Sequence, residues 1–249
     1  MSSSNKSICA CIGEQGSAAP MPFSSARSHA APTVSPPVVR LIYLVPSDRT
    51  PNPIYQQVIG AAAAHLQRWY YDALGSNKTF RLQSPIVETF ITPHDSAWYT
   101  QGAIWNNALN DGFALTGGGF FDPNNIWIFY LDVDNTSGTP TGGTSGVALL
   151  PEVDLLGLTG QHGPVCRWVG GLGHELGHAL GLPHPDGCGS TLPDTEPPCQ
   201  SIMYLGYEIY PQTFLIDDHK ATLNKSPFFN QTSQPNASDC AKLGQIKPA

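Results

Sequence analysis

The chain is predicted to be an α/β protein, α+β in the way its irregular region is set apart, and three observations carry that prediction. Short apolar, β-branched runs alternate with segments of helical period as far as residue 184; glycines and prolines punctuate the boundaries; and the stretch beyond has little regular pattern. The first element is a buried strand, Val38-Val39-Arg40-Leu41-Ile42-Tyr43-Leu44-Val45, stopped by Pro46. A helix over 53–74 follows. Pro53 suits its first turn, Ile54, Val58, Ala61, Leu66, Trp69 and Leu74 recur at near-helical spacing, and Gly75 ends it. A strand over 79–91 contains Pro85 and so carries a bulge or interruption. A second helix is expected over 97–110. Residues 125–132, Asn-Ile-Trp-Ile-Phe-Tyr-Leu-Asp, make the clearest strand and should lie centrally, whereas the short apolar run 146–151 suits an edge strand. A helix carrying residues 174–178 comes next. Towards the C-terminus a last helix is expected to start near Asp217-Asp218, whose charges favour a first turn.

At 249 residues the chain supports one substantial core. The expected layout is an N-terminal extension, 1–37, followed by one domain over 38–249 that divides at residue 184. Residues 1–37 are rich in Ser, Ala and Pro, lack the basic start and apolar stretch of a secretory signal, and read as a disordered tail or a short propeptide. A net charge of −7 with 12% charged residues denies nucleic acid its electrostatic footing. No apolar run approaches the roughly 18 residues needed to span a bilayer, so no membrane partner is expected, and the protein is expected to be a monomer. Low charge, 25 glycines, 23 prolines and sequons at Asn77, Asn135, Asn224, Asn230 and Asn236 suit a secreted, extracellular protein.

The chemistry concentrates in His174-Glu175-Leu176-Gly177-His178-Ala179-Leu180-Gly181-Leu182-Pro183-His184. On a helix His174 and His178 stand one turn apart on one face, with Glu175 beside them. Gly181 can take positive φ and turn the chain so that His184 returns to the same point. Three neutral imidazoles leave a tetrahedral zinc ion one position short, open for water or a carbonyl. Glu175 is then the general base for hydrolysis.

Six cysteines allow fifteen complete pairings. Cys188 and Cys199 bracket a Gly/Pro-rich loop after the third histidine, so a disulfide there would restrain the loop. Cys166, ahead of the helix, and Cys240, near the chain end, could pin the tail onto it. Cys9 and Cys11 remain for the N-terminus, where either could occupy the fourth zinc position of a latent form. Asp132, Asp134 and Asn135 offer oxygen ligands for calcium without matching the EF-hand pattern, and a solvated acidic turn is the simpler reading. His65, His94, His162 and His219 read as surface or capping residues.

The pattern HExxHxxGxxH followed by a methionine turn, here Ser201-Ile202-Met203-Tyr204, resembles the metzincin clan of zinc endopeptidases. Pro185 is similar to the serralysins, Met203-Tyr204 to the matrixins, and Leu205 stands where a serralysin has tyrosine. The resemblance implies a zincin with a twisted, mostly parallel sheet, two long helices and a small irregular C-terminal subdomain. It implies one catalytic zinc on His174, His178 and His184, and Met203 as an apolar floor beneath them. It also implies that the aromatic-rich stretch containing Tyr204, Tyr207 and Tyr210 walls a substrate pocket. If 146–151 is an edge strand, Val147, Ala148 and Leu149 can pair with an extended peptide or protein substrate by β-augmentation. The alternatives are a non-catalytic zinc-containing peptide-binding module and a zinc hydrolase of other amides.

Overall fold

The computed structural model describes residues 35–133 and 141–246. Five strands form one sheet in the order β2-β1-β3-β5-β4: β1 (Val38–Val45), β2 (Leu82–Ile91), β3 (Asn125–Leu131), β4 (Gly142–Thr144) and β5 (Val147–Leu150). The first three and β5 run parallel, and β4 alone is antiparallel. Parallel strands are covered on both faces, which explains why the apolar runs of β1, β3 and β5 are nearly unbroken. Their residues still divide by parity. Tyr43, Ile128, Tyr130, Ala148 and Leu150 enter one core, and Ile42, Leu44, Trp127, Phe129 and Leu149 enter the other.

The larger core lies against α1 (Pro53–Ala73), α4 (Glu152–Leu158) and α5 (Val165–Ala179), and it also takes in residues of α6 (Ile202–Ile209), α7 (Asp217–Lys225) and the C-terminal tail. Segments on both sides of His184 therefore share it. The smaller core is capped by α2 (Ser96–Thr100) and α3 (Ile104–Thr116). The single helix expected over 97–110 is thus two. Gly102 falls in the break, the Asn107 side-chain amide of α3 donates to the Trp98 carbonyl, and α3 continues to a left-handed Gly117 at φ 70°. Around Pro85 the β1–β2 register slips between Val39↔Leu82 and Leu41↔Val87, the interruption expected there.

One correction concerns the cleft directly. Val147, Ala148 and Leu149 do not form a sheet edge: β5 is paired to β3 on one side and to β4 on the other, and the three residues are buried. The edge is Gly142–Thr144. Its turn into β5 has both central residues, Ser145 and Gly146, at positive φ, which is the type I′ arrangement whose twist matches a tight hairpin.

Asp132, just after β3, is also not solvated. Asp132 is buried, accepts from the Tyr43 hydroxyl and the Arg49 guanidinium, and shares Arg49 with Glu152. Those bonds commit its carboxylate to holding the β1–α1 connection, and no calcium site is supported. Asp134 and Asn135 lie outside the described residues.

Candidate metal centre

Helix α5 carries both ends of the site, and its sequence is poor helix material. Glycines at 170, 171, 173 and 177 each cost about 1 kcal/mol relative to alanine, so packing must hold the helix together. Close approach is the compensation. A Cβ at Gly177 would lie 2.1 Å from the Met203 sulfur, and one at Gly171 would lie 2.0 Å from the Tyr207 ring, so α6 settles onto α5 at distances only glycine permits. Met203 is fully buried directly against the turn of α5 that bears His174 and His178.

The helix stops in a Schellman arrangement. Gly181 has φ 86°, its N–H donates to the His178 carbonyl at 3.0 Å, and the Leu182 N–H donates to the Gly177 carbonyl at 2.9 Å. The chain is thereby turned back, and His184 faces the other two rings. The three Nε2 atoms converge: His174 and His178 at 3.0 Å, His178 and His184 at 3.0 Å, His174 and His184 at 3.3 Å.

The tautomers follow from the other ring nitrogens. His174 Nδ1 donates to the Ile202 carbonyl and His178 Nδ1 to the Leu182 carbonyl, both at 2.9 Å, which leaves their Nε2 lone pairs pointing at each other. Facing lone pairs repel unless a cation lies between them. Nitrogens bound at about 2.0–2.1 Å to a tetrahedral zinc are themselves about 3.3 Å apart, so the observed triangle fits that ion. Burial pushes the His174 imidazolium down to about 4 and lowers His178 as well, which keeps both rings in the neutral, ligating form. Among the described residues this trio is the histidine cluster able to hold an ion.

Glu175 is 4% exposed, and its burial drives the carboxyl up to about 7, against the nearby Thr141 side chain, which favours the ionised form. A cation among the imidazoles adds to the latter effect. Strand β4 lies on this turn of α5. A Cβ at Gly143 would fall 2.2 Å from the Glu175 carbonyl oxygen and 3.0 Å from His178 Cβ. The β4 end of the sheet thus passes beside Glu175 and His178.

The aromatic stretch behaves differently from the expected pocket wall. Tyr204 stands beside His184 and Tyr207 beside His174, each pair of rings 6.1 Å apart. Tyr207 packs on Gly171 and its hydroxyl bonds Asp154, while Tyr210 is 4% exposed in the core against Trp69 and His65. Residue spacing after Met203 does not reveal this, because α6 bends at Leu205, which has non-helical φ/ψ.

Two residues near the site carry no signal in the sequence. His219 on α7 is not a surface residue: it is 2% exposed, and burial lowers its imidazolium pKa. Asp154 on α4 is fully buried near Glu175. Of the others, His65 meets the Ser238 carbonyl, His94 pairs with Asp111, and His162 is exposed. Disulfides join Cys188 to Cys199 and Cys166 to Cys240. The first closes the loop after His184, and the second ties the C-terminal tail to the start of α5. Among the described residues no helix is long and apolar enough to cross a membrane.

No family model and no curated protein sequence matches the chain. Solved structures do. The fold is similar to that of OgpA from Akkermansia muciniphila, with a TM-score of 0.56 at 19% identity over 82% of this chain and 64% of OgpA. A catalytically inactive OgpA, solved in complex with an O-glycopeptide substrate, also gives 0.56 at 19% identity, covering 80% of this chain and 63% of that one. The chain therefore spans a little under two thirds of OgpA's length. At this identity the likeness establishes a shared fold.

Proposed function

We propose that this chain is a secreted zinc-dependent endopeptidase of metzincin type. The observation that carries the reading is the convergence of three Nε2 lone pairs beside a buried glutamate and an open sheet edge. His174, His178 and His184 would hold the zinc, which when bound supplies a Lewis acid for the scissile carbonyl and a water of lowered pKa. Glu175 would act as general base, taking a proton from the attacking water and passing it to the leaving amine. Secretion is supported by the two disulfides, which persist in oxidising compartments.

An extended peptide would pair with the free edge of β4. If it lies antiparallel to β4 it runs in the direction of β3 and β5, so the residues ahead of the cut lie over the Thr144 end. A cleft of 720 Å³ opens there beside His178, with Ile126, Leu182 and Phe228 among its apolar lining and Lys225 at its side. That lining favours apolar residues before the cut.

Casein hydrolysis that a chelator abolishes and zinc restores tests the reading. A metal-binding protein without such activity would instead be the non-catalytic peptide-binding module, and cleavage of simple acyl amides but not peptides would point to a different amide hydrolase. The O-glycopeptide held by OgpA makes glycosylated and plain forms of one peptide an informative pair of substrates.

A further inference from the structure

Phe121 combines two features that a phenylalanine rarely shows together. It is 80% exposed, more than any other large apolar side chain among the described residues, and its φ is 56°, in the left-handed region that a bulky residue enters only under strain. Glycine or asparagine would make the same turn more easily. The turn alone therefore does not account for an aromatic ring there, and strain of this kind collects at ligand-binding and catalytic sites.

The backbone is tied down around the ring. The Phe121 N–H donates to the Ser145 carbonyl at 2.8 Å, which fastens it to the hairpin joining β4 to β5. On one side Phe120 packs edge-on against Phe113 of α3, with ring centroids 5.4 Å apart. On the other, the Asp122 carboxylate accepts from the Asn124 and Asn125 N–H groups, the Asn125 side-chain amide and the Trp127 indole. A ring held out to solvent by a fixed backbone is preorganised, so burying it against a ligand costs little ordering entropy.

The ring lines the same cleft as His178, together with Ile126, Leu182, Pro183 and Phe228. Asp122 is the one acid in that lining, and its oxygens are committed to the donors just named. An arriving side chain thus meets apolar surface, with an exposed ring at hand for stacking. A second aromatic ring gains more from that than an aliphatic chain does, because paired rings attract beyond the area they bury. The bond to Ser145 also sets Phe121 at the Thr144 end of β4, where residues ahead of the cut would lie.

We propose that Phe121 is a specificity-determining residue that takes an aromatic side chain lying ahead of the scissile bond, ring against ring. The proposal rests on the peptidase reading and deepens it.

A peptide set in which each residue ahead of the cut is in turn phenylalanine or alanine tests it, digested by the full-length, zinc-loaded parent, Phe121→Gly and Phe121→Tyr. The parent should favour phenylalanine at one position by about 10-fold in kcat/KM. Phe121→Gly should bring that ratio to about one, and Phe121→Tyr, which keeps a ring, should hold it within about twofold of the parent's. Glycine also relieves the backbone, so the thermal midpoint of Phe121→Gly should not fall. A lower midpoint with rates reduced alike on every peptide would make Phe121 a structural residue and overturn the role. A glycine variant that keeps the parental ratio would overturn it too, and if that variant also loses self-association in sedimentation, the ring is a contact between copies of the chain. A parent that cleaves no peptide removes the peptidase reading along with this one, whereas a parent that cleaves phenylalanine and alanine peptides alike removes only the role of Phe121.

Discussion

At the scale of single residues, the proposed function assigns metal holding and proton transfer to different side chains, so the two can be broken independently. Glu175→Gln keeps all three imidazoles, so zinc content should stay at the parental value while kcat falls at least about 100-fold, the usual weight of general-base catalysis. His178→Ala should instead lose the ion on dialysis, as elemental analysis will record, because it removes the nitrogen closest to both of the others. Asp154 makes a different prediction, on stability. Its folded pKa is raised far above 3.8 by burial, so above that pH the native state holds a proton that the unfolded state releases. The parent therefore loses stability from this group as pH rises, and Asp154→Asn does not. The thermal midpoint of the asparagine variant relative to the parent should be higher at pH 8 than at pH 4; a gap independent of pH would count against a neutral, buried Asp154.

His174, Glu175, His178 and His184 are legible in the sequence because the offsets of a helix and one glycine turn bring them together locally. Asp154 and His219 are not. A lone buried aspartate or histidine has no spacing signature, and its meaning comes from surroundings that only the tertiary fold supplies, such as the Tyr207 hydroxyl from α6 beside Asp154.

At the scale of elements, β1, β3 and the pattern of α5 can be read because long apolar runs and a 3.6-residue period are local signals. The edge strand cannot. Gly142-Gly143-Thr144 has little β propensity, and it is a strand because it lies on α5 with no side chain to separate them; the apolar run beside it, β5, is a central strand, which is why it is apolar. Gly143→Ala should consequently push β4 away from the Glu175 carbonyl, costing about 1–3 kcal/mol, the range for overpacking, and reducing peptide cleavage more than metal binding. Cleavage at the parental rate would remove β4 from the substrate path. The disulfides act on connections between elements. Their sequence separations of 74 and 11 residues correspond to about 4 and about 3 kcal/mol of chain-entropy stabilisation. Paired Cys→Ser variants compared by denaturant melts should rank in that order, and the 188/199 variant should also bind zinc less tightly because its loop adjoins His184.

At the scale of the whole molecule, one core unites the helix that carries His174 and His178, the segment leading to His184, the methionine packed against that helix, and α7. The fold is shared with OgpA, and in this chain helices cover both faces of the sheet. The central claim is that the converging nitrogens exist to hold zinc with Glu175 alongside. A crystal structure of the zinc-loaded protein tests it most directly. The account predicts one ion bonded to Nε2 of His174, His178 and His184 at about 2.0–2.1 Å, with the Glu175 carboxylate facing its open position. Zinc bound elsewhere, or His184 turned away from an ion held by the helix alone, would contradict it.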